Sequence, residues 1–221
     1  MTSSFAGPNT PAPVQHIRGR IGLGQLTPGD TLGEAELAEP FGASRAPLRE
    51  AVLYLEALGL VRRLPRKGAA IFRPTLEEFL AILEVHAKLE GQAAGLAARR
   101  LSRQGAEELE AAVKACEAHA ATSPNADPDG YYQHNLRFHA CVAHASGNAV
   151  LVDALKTNAR KLLAYYRARY RFQGAIAASA TEHRDISRLI LDRDSGGAEA
   201  RMQRHVQFDQ VTAMDLLAAL S

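Results

Sequence analysis

Over its last two-thirds the 221-residue chain contains no run that reads as a β-strand. From Thr75 onward, apolar side chains fall at helical spacing. Leu76, Phe79, Leu80, Leu83 and Leu89 recur on that period, and an Ala-rich continuation carries the pattern to Leu101. Further helices are expected at about 105–121, 128–145, 148–172, 176–193 and 197–219, with Gly147 and Gly196-Gly197 at boundaries. Helices with no sheet to cover must bury their apolar stripes against one another. Residues 75–221 are therefore expected to form an all-α six-helix bundle, long enough to enclose its own core.

The first third follows another pattern. Residues 1–13 are small, polar and Pro-punctuated, and read as a flexible N-terminus without a signal-peptide pattern. Residues 14–74 read as short elements. A helix spans Val14–Leu23, Thr27-Pro28-Gly29-Asp30 makes a turn, Glu34–Glu39 forms a short helix and Pro40-Phe41-Gly42-Ala43 is a break. Ser44 is placed to N-cap a helix from Arg45 to about Leu58, with Leu48, Val52, Leu55 and Leu58 at helical spacing and Gly59 as its stop. Leu60–Leu64 and Ala69–Phe72 are β-prone runs around Pro65-Arg66-Lys67-Gly68, which reads as a hairpin. Helix, short helix, tight turn, helix, hairpin is the order of a winged helix-turn-helix. The expected fold class is thus mainly α, a winged helix-turn-helix with a small β-hairpin wing followed by the bundle.

Charge separates the same two parts. The 26 Lys and Arg nearly balance the 24 Asp and Glu. Residues 1–74, however, hold nine bases against six acids, and seven of those bases lie between Arg45 and Arg73. A basic cluster on one part of a chain points to nucleic acid. In a helix-turn-helix, the N-terminal end of the second helix meets base edges in the major groove. Here that end reads Ser44-Arg45-Ala46-Pro47-Leu48-Arg49. Arg45 and Arg49 are four apart and share a helix face, and arginine is the side chain best shaped to grip guanine. Ser44 and the helix N-terminus suit a phosphate, and Pro47 sits where its missing N–H costs little. Arg66, Lys67 and Gly68 at the hairpin tip would reach the minor groove or backbone. Alternatively, these arginines are ordinary solvated residues of an amphipathic helix.

Residues 17–73 resemble the GntR-type winged helix. The matching stretches are Leu26-Thr27-Pro28-Gly29-Asp30-Thr31-Leu32, Glu36-Leu37-Ala38, Phe41–Ala51, Leu58-Gly59-Leu60-Val61 and the wing Arg66-Lys67-Gly68-Ala69. The resemblance implies a transcription regulator that binds a palindromic double-stranded operator as a homodimer. By the same resemblance Ser44, Arg45, Arg49, Lys67 and Gly68 contact DNA. One departure is Ala35, near where the family often carries a basic residue.

Seven of the eight histidines lie after residue 75. A lone histidine in a bundle is most often a packing or surface residue. Asn135 and His139 are four apart on one expected helix, while His183 and His205 sit on two others, so three helices could aim four side chains into one cavity. Three imidazoles and one oxygen suit zinc, nickel or a similar divalent ion. Spacing alone leaves packing and ligand roles open, because the chain has no His-x-x-x-His motif.

The helical part resembles the FCD ligand-binding domain that follows FadR-type winged helices. The likeness rests on Asn135-Leu136-Arg137-Phe138-His139, Ala145-Ser146-Gly147-Asn148, Glu182–Ile186 and Ala200–His205. Many FCD domains hold a metal through an acidic residue and three histidines, which the resemblance carries onto Asn135, His139, His183 and His205. Asn135 departs from the commoner Asp. An amide oxygen can coordinate but brings no charge, which favours an anion completing the shell. The family habit of sensing small carboxylates points the same way. His86 stands where Arg is frequent, so the residues that would grip such an effector are left among His86, Arg99, Arg137 and Arg160. His119, His134 and His144 are read as structural or exposed.

The resulting expectation is a repressor of a catabolic operon, modulated by a small carboxylate bound near a metal. Two alternatives stand beside it. One is a DNA-binding dimer whose helical domain is purely structural and whose metal site is vestigial. The other is a metal-dependent enzyme, for which the chain offers no clear general base, since Glu182 points about 100° away from its neighbour His183. Cys116 and Cys141 are too few for a disulfide framework, and no apolar run approaches the ~18 residues that span a bilayer, so a cytoplasmic protein with no membrane partner is expected.

Overall fold

The computed structural model describes residues 12–22, 25–33, 45–64, 68–122 and 127–207. Its elements are α1 (Ala12–Gly22), β1 (Thr31–Leu32), α2 (Arg45–Ala57), β2 (Val61–Leu64), β3 (Gly68–Ile71), α3 (Leu76–Arg100), α4 (Arg103–Thr122), α5 (Pro128–Ala145), α6 (Ala149–Arg169), α7 (Ala175–Leu191) and α8 (Ser195–Val206). The chain divides into two compact units, Met1–Pro74 and Thr75–Ser221. The short helix expected at Glu34–Glu39 and the stretch from 208 to 219 lie outside the described residues.

In the first unit, α1 and α2 bury Val14, Ile17, Ile21, Ala51, Val52 and Leu55. Gly59 stops α2 with φ +69, the left-handed conformation glycine adopts without a Cβ penalty. The turn at Thr27–Asp30 forms as expected: Asp30 N–H donates to the Thr27 carbonyl at 3.0 Å, with Gly29 at φ +97. Asp30 Oδ2 also accepts from Thr27 N–H at 2.7 Å. The wing differs from the expected hairpin by one strand. The antiparallel sheet has the order β1-β3-β2, with Thr31 opposite Ala70 and Val61 opposite Ile71. β1 is two residues long and exists through its pairing with β3, about forty residues away, so no local run announces it. Leu32, Val61, Ala69 and Ile71 face inward, while Arg62 and Arg63 face out.

The second unit is built around α3, which packs against α5, α6, α7 and α8. Thr75 starts it with a capping box: Glu78 N–H donates to Thr75 Oγ1 at 3.1 Å, and Thr75 N–H donates to Glu78 Oε2 at 2.9 Å. Asp127, Asn148 and Asp194 N-cap α5, α6 and α8, each accepting one backbone N–H on its side chain. Asp194 lets α8 begin at Ser195, so the Gly196-Gly197 pair read as a boundary lies inside its first turn. The core runs from Phe79, stacked on Tyr165 at 3.9 Å, through Ala94, Ala97, Ala98, Leu109, Phe138, Leu162, Ile186 and Met202. The Ala-rich stretch of α3 brings α8 close: a Cβ on Gly95 would meet the Ser195 carbonyl oxygen at 3.2 Å.

Candidate metal centre and nucleic-acid interface

α5, α7 and α8 each carry one histidine to a common point. The metal-capable nitrogens of His139, His183 and His205 all lie within 4.8 Å of one another. His183 and His205 are buried, and His139 keeps 16% of its side chain exposed. Each ring is held by packing. Phe138 stacks on His183 at 4.0 Å between centroids, and His139 stacks on His205 at 5.3 Å. His205 Nδ1 lies 2.7 Å from Glu182 Oε2. A carboxylate can only accept, so Nδ1 carries the proton and Nε2 presents its lone pair. That lone pair faces His183 Nε2 at 3.0 Å. Two nitrogens bound to one zinc at its usual bond length sit about 3.0–3.4 Å apart. The pair thus fits two ligands of one ion, and Glu182 supplies the outer carboxylate that orients a ligating imidazole.

Burial sets the protonation states. It pushes His183 and His205 well below the usual histidine range, and neighbouring imidazoles and Arg169 push the same way. Both are therefore neutral near pH 7, the form that coordinates metal. Burial likewise lowers His86, against the opposing pull of Glu90.

Asn135 is buried one turn before His139, and its Oδ1 accepts a 2.8 Å hydrogen bond from Tyr170 O–H. Tyr170 also lies 3.3 Å from Ser179 Oγ. Of the residues weighed as effector contacts, His86 is buried on α3, Arg160 is half-buried on α6, and Arg99 and Arg137 are exposed. His119 Nε2 contacts the Asp127 carbonyl oxygen at 2.9 Å and its ring meets His134 at 5.4 Å, while His144 is exposed.

Sequence reasoning missed Glu90. It is 4% exposed on α3, with Oε1 3.6 Å from His86 Nε2 and Oε2 3.2 Å from His139 Nδ1. Burial opposes its charged form, yet His139 and His86 beside it hold its carboxyl below the usual value. Glu90 Oε2, His86 Nδ1, His139 Nδ1 and His183 Nδ1 are buried and make no hydrogen bond among the described residues. The available signal was the four-residue step from His86 to Glu90. Glu182 turns away from His183, as expected, and serves His205 instead.

On the first unit, Arg49 is exposed on α2 and Gly68 opens β3 with φ +89. Arg45 and Pro47 occupy the first turn of α2, but their side chains, like Ser44, Arg66 and Lys67, lie outside the described residues. Arg62 lies over the Phe72 ring at 5.4 Å, and Arg63 pairs with Glu56.

Residues 14–71 match the family described as bacterial regulatory proteins, gntR family, and residues 81–208 match the FCD domain. The chain belongs to the GntR family. An uncharacterized HTH-type transcriptional regulator from the TAR-I ttuE-ttuC' intergenic region of Agrobacterium vitis is 36% identical over 131 residues, 58% of this chain and 77% of that one. The HTH-type transcriptional regulator LutR of Bacillus subtilis is 28% identical over 204 residues, covering 83% of this chain and 91% of that one. The solved structure of E. coli McbR/YncC has the same fold, with a TM-score of 0.76 at 18% identity over 95% of this chain and 97% of that one. This GntR-family member is a DNA-binding transcriptional regulator, and its family is not one of enzymes. No described helix is long and apolar enough to cross a membrane.

Proposed function

We propose that this regulator binds a palindromic operator as a homodimer, represses a catabolic operon in the cytoplasm, and responds to a small carboxylate bound beside a divalent metal. Ser44, Arg45, Pro47 and Arg49 at the start of α2, with Arg66, Lys67 and Gly68 in the wing, contact DNA in this reading. The exposure of Arg49 and the left-handed Gly68 support it. His139, His183 and His205 hold the metal, zinc or nickel, with Asn135 beside them as the oxygen donor. The observation that carries the reading is the convergence of three histidines within 4.8 Å in the unit that follows the DNA-binding one. Two of the three, His183 and His205, are buried and held below the usual histidine range, so they present the neutral form that coordinates a cation.

A gel shift against the operator region tests the DNA contacts. Arg45→Ala and Arg49→Ala should each weaken specific binding about 5- to 150-fold, the range of one bidentate base contact. Undiminished specific binding by both variants contradicts the assignment. One observation favours a second reading, a purely structural helical domain: the Tyr170 hydrogen bond takes one of the two lone pairs of the Asn135 oxygen and ties it to the core. Elemental analysis separates the two, since a structural domain would purify and refold without metal.

A further inference from the structure

The charges around the histidines do not cancel once a divalent ion is counted. Glu182 is paired with Arg201 at 3.3 Å and Arg169 at 3.8 Å, and Arg201 also reaches Asp185 at 3.4 Å. Two acids and two bases there sum to zero. An imidazole that coordinates a metal does so in its neutral form, and Asn135 brings no charge. Beside the cluster stands Glu90, buried on α3, with Oε2 3.2 Å from His139 Nδ1. Neither Glu90 Oε2 nor His139 Nδ1 makes a hydrogen bond that meets ordinary geometry among the described residues. Its other oxygen lies 3.6 Å from His86 Nε2. A buried carboxylate is favoured by positive charge beside it, and a divalent ion at the histidines would supply more than the neighbouring imidazoles do.

We infer that Glu90 is the negative charge built into this metal centre, so that the site takes a monoanionic acid and discriminates against dianions. The inference rests on the metal-dependent reading above. A divalent ion and one carboxylate leave a single positive charge at the site. One carboxylate on the effector neutralises it. A second would be buried without a partner and would face Glu90, and like charges in a site of low dielectric repel strongly. Glu90 thus supplies from α3 the charge that an acidic residue at position 135 would have supplied from α5, and it does so from a place that also sets the ligand's charge.

The test uses full-length protein stripped with chelator and titrated calorimetrically, first with zinc, then with acetate, lactate, succinate and malate on the zinc-loaded form. Acetate or lactate should bind at least about tenfold tighter than succinate or malate. In Glu90→Gln the preference should narrow or reverse through a gain for the dianions, and zinc affinity should fall about tenfold or more. The preference of the unmodified protein needs no variant, so misfolding of Glu90→Gln leaves the inference open to refutation. Zinc binding with equal or tighter uptake of dianions overturns this inference alone. Absence of zinc binding overturns it together with the reading it rests on, and is seen before any acid is added.

Discussion

Glu182 holds His205 by a single contact, 2.7 Å from carboxylate to Nδ1, and that contact decides which nitrogen is free to coordinate. Glu182→Gln should therefore lower zinc affinity about 10- to 100-fold, the usual effect of losing an outer carboxylate, with little change in the metal-free melting temperature. An unchanged affinity in a chelator-competition titration would mean that the ring is held by packing alone. His183 and His205 also make a pH prediction. Unfolded, they take up protons near their ordinary value of 6.5; folded, burial holds that value well below it. The unfolded chain therefore gains protons first on acidification. Metal-free protein should keep full stability above pH 6.5 and lose it as the pH falls toward the depressed folded value. A melting series from pH 7.5 to 5 checks this, and a rise in stability over that interval would contradict it. Of these residues, His139, His183 and His205 stood out in the sequence. Glu90 and the Tyr170 grip on Asn135 did not, because which carboxylate or hydroxyl meets a given ring depends on how neighbouring helices are rotated, and one sequence does not carry that angle.

Among the elements, those set by local chemistry were legible. Pro28-Gly29 gave a turn, Gly59 ended α2, and the periodicity after Thr75 gave six helices. β1 was not, since two residues acquire their strand only by pairing with β3. The close approach of α3 and α8 was also hidden. Gly95 looks unremarkable in an Ala-rich helix, yet its missing side chain is what admits the Ser195 carbonyl and Glu199, and Ser195 Oγ donates to the Gly95 carbonyl at 2.8 Å. Gly95→Ala should force α8 outward and cost about 1–3 kcal/mol, read by chemical denaturation. Because α8 carries His205, the same variant should weaken zinc binding. A stabilised Gly95→Ala protein would show that the helix pair tolerates the added methyl group. At the start of α3, Thr75→Ala removes the hydrogen bond from Glu78 N–H to Thr75 Oγ1, leaves the backbone N–H of residue 75 to donate to Glu78, and should cost about 1 kcal/mol.

For the whole molecule, the metal-dependent reading links the DNA-binding unit and the helical unit of one chain through coupled equilibria. Linkage is reciprocal: if the loaded helical domain changes operator affinity, operator DNA changes ligand affinity by the same factor. A small carboxylate should therefore shift operator binding of the zinc-loaded protein and leave the stripped protein unaffected. All of this depends on whether the three histidines bind an ion. The direct measurement is a calorimetric zinc titration of chelator-stripped, full-length protein beside a variant carrying His139→Ala, His183→Ala and His205→Ala, with circular dichroism to show that both are folded. One zinc per chain in the unmodified protein, lost in the folded variant, is the result expected. No zinc uptake, or equal uptake by both proteins, would contradict the account.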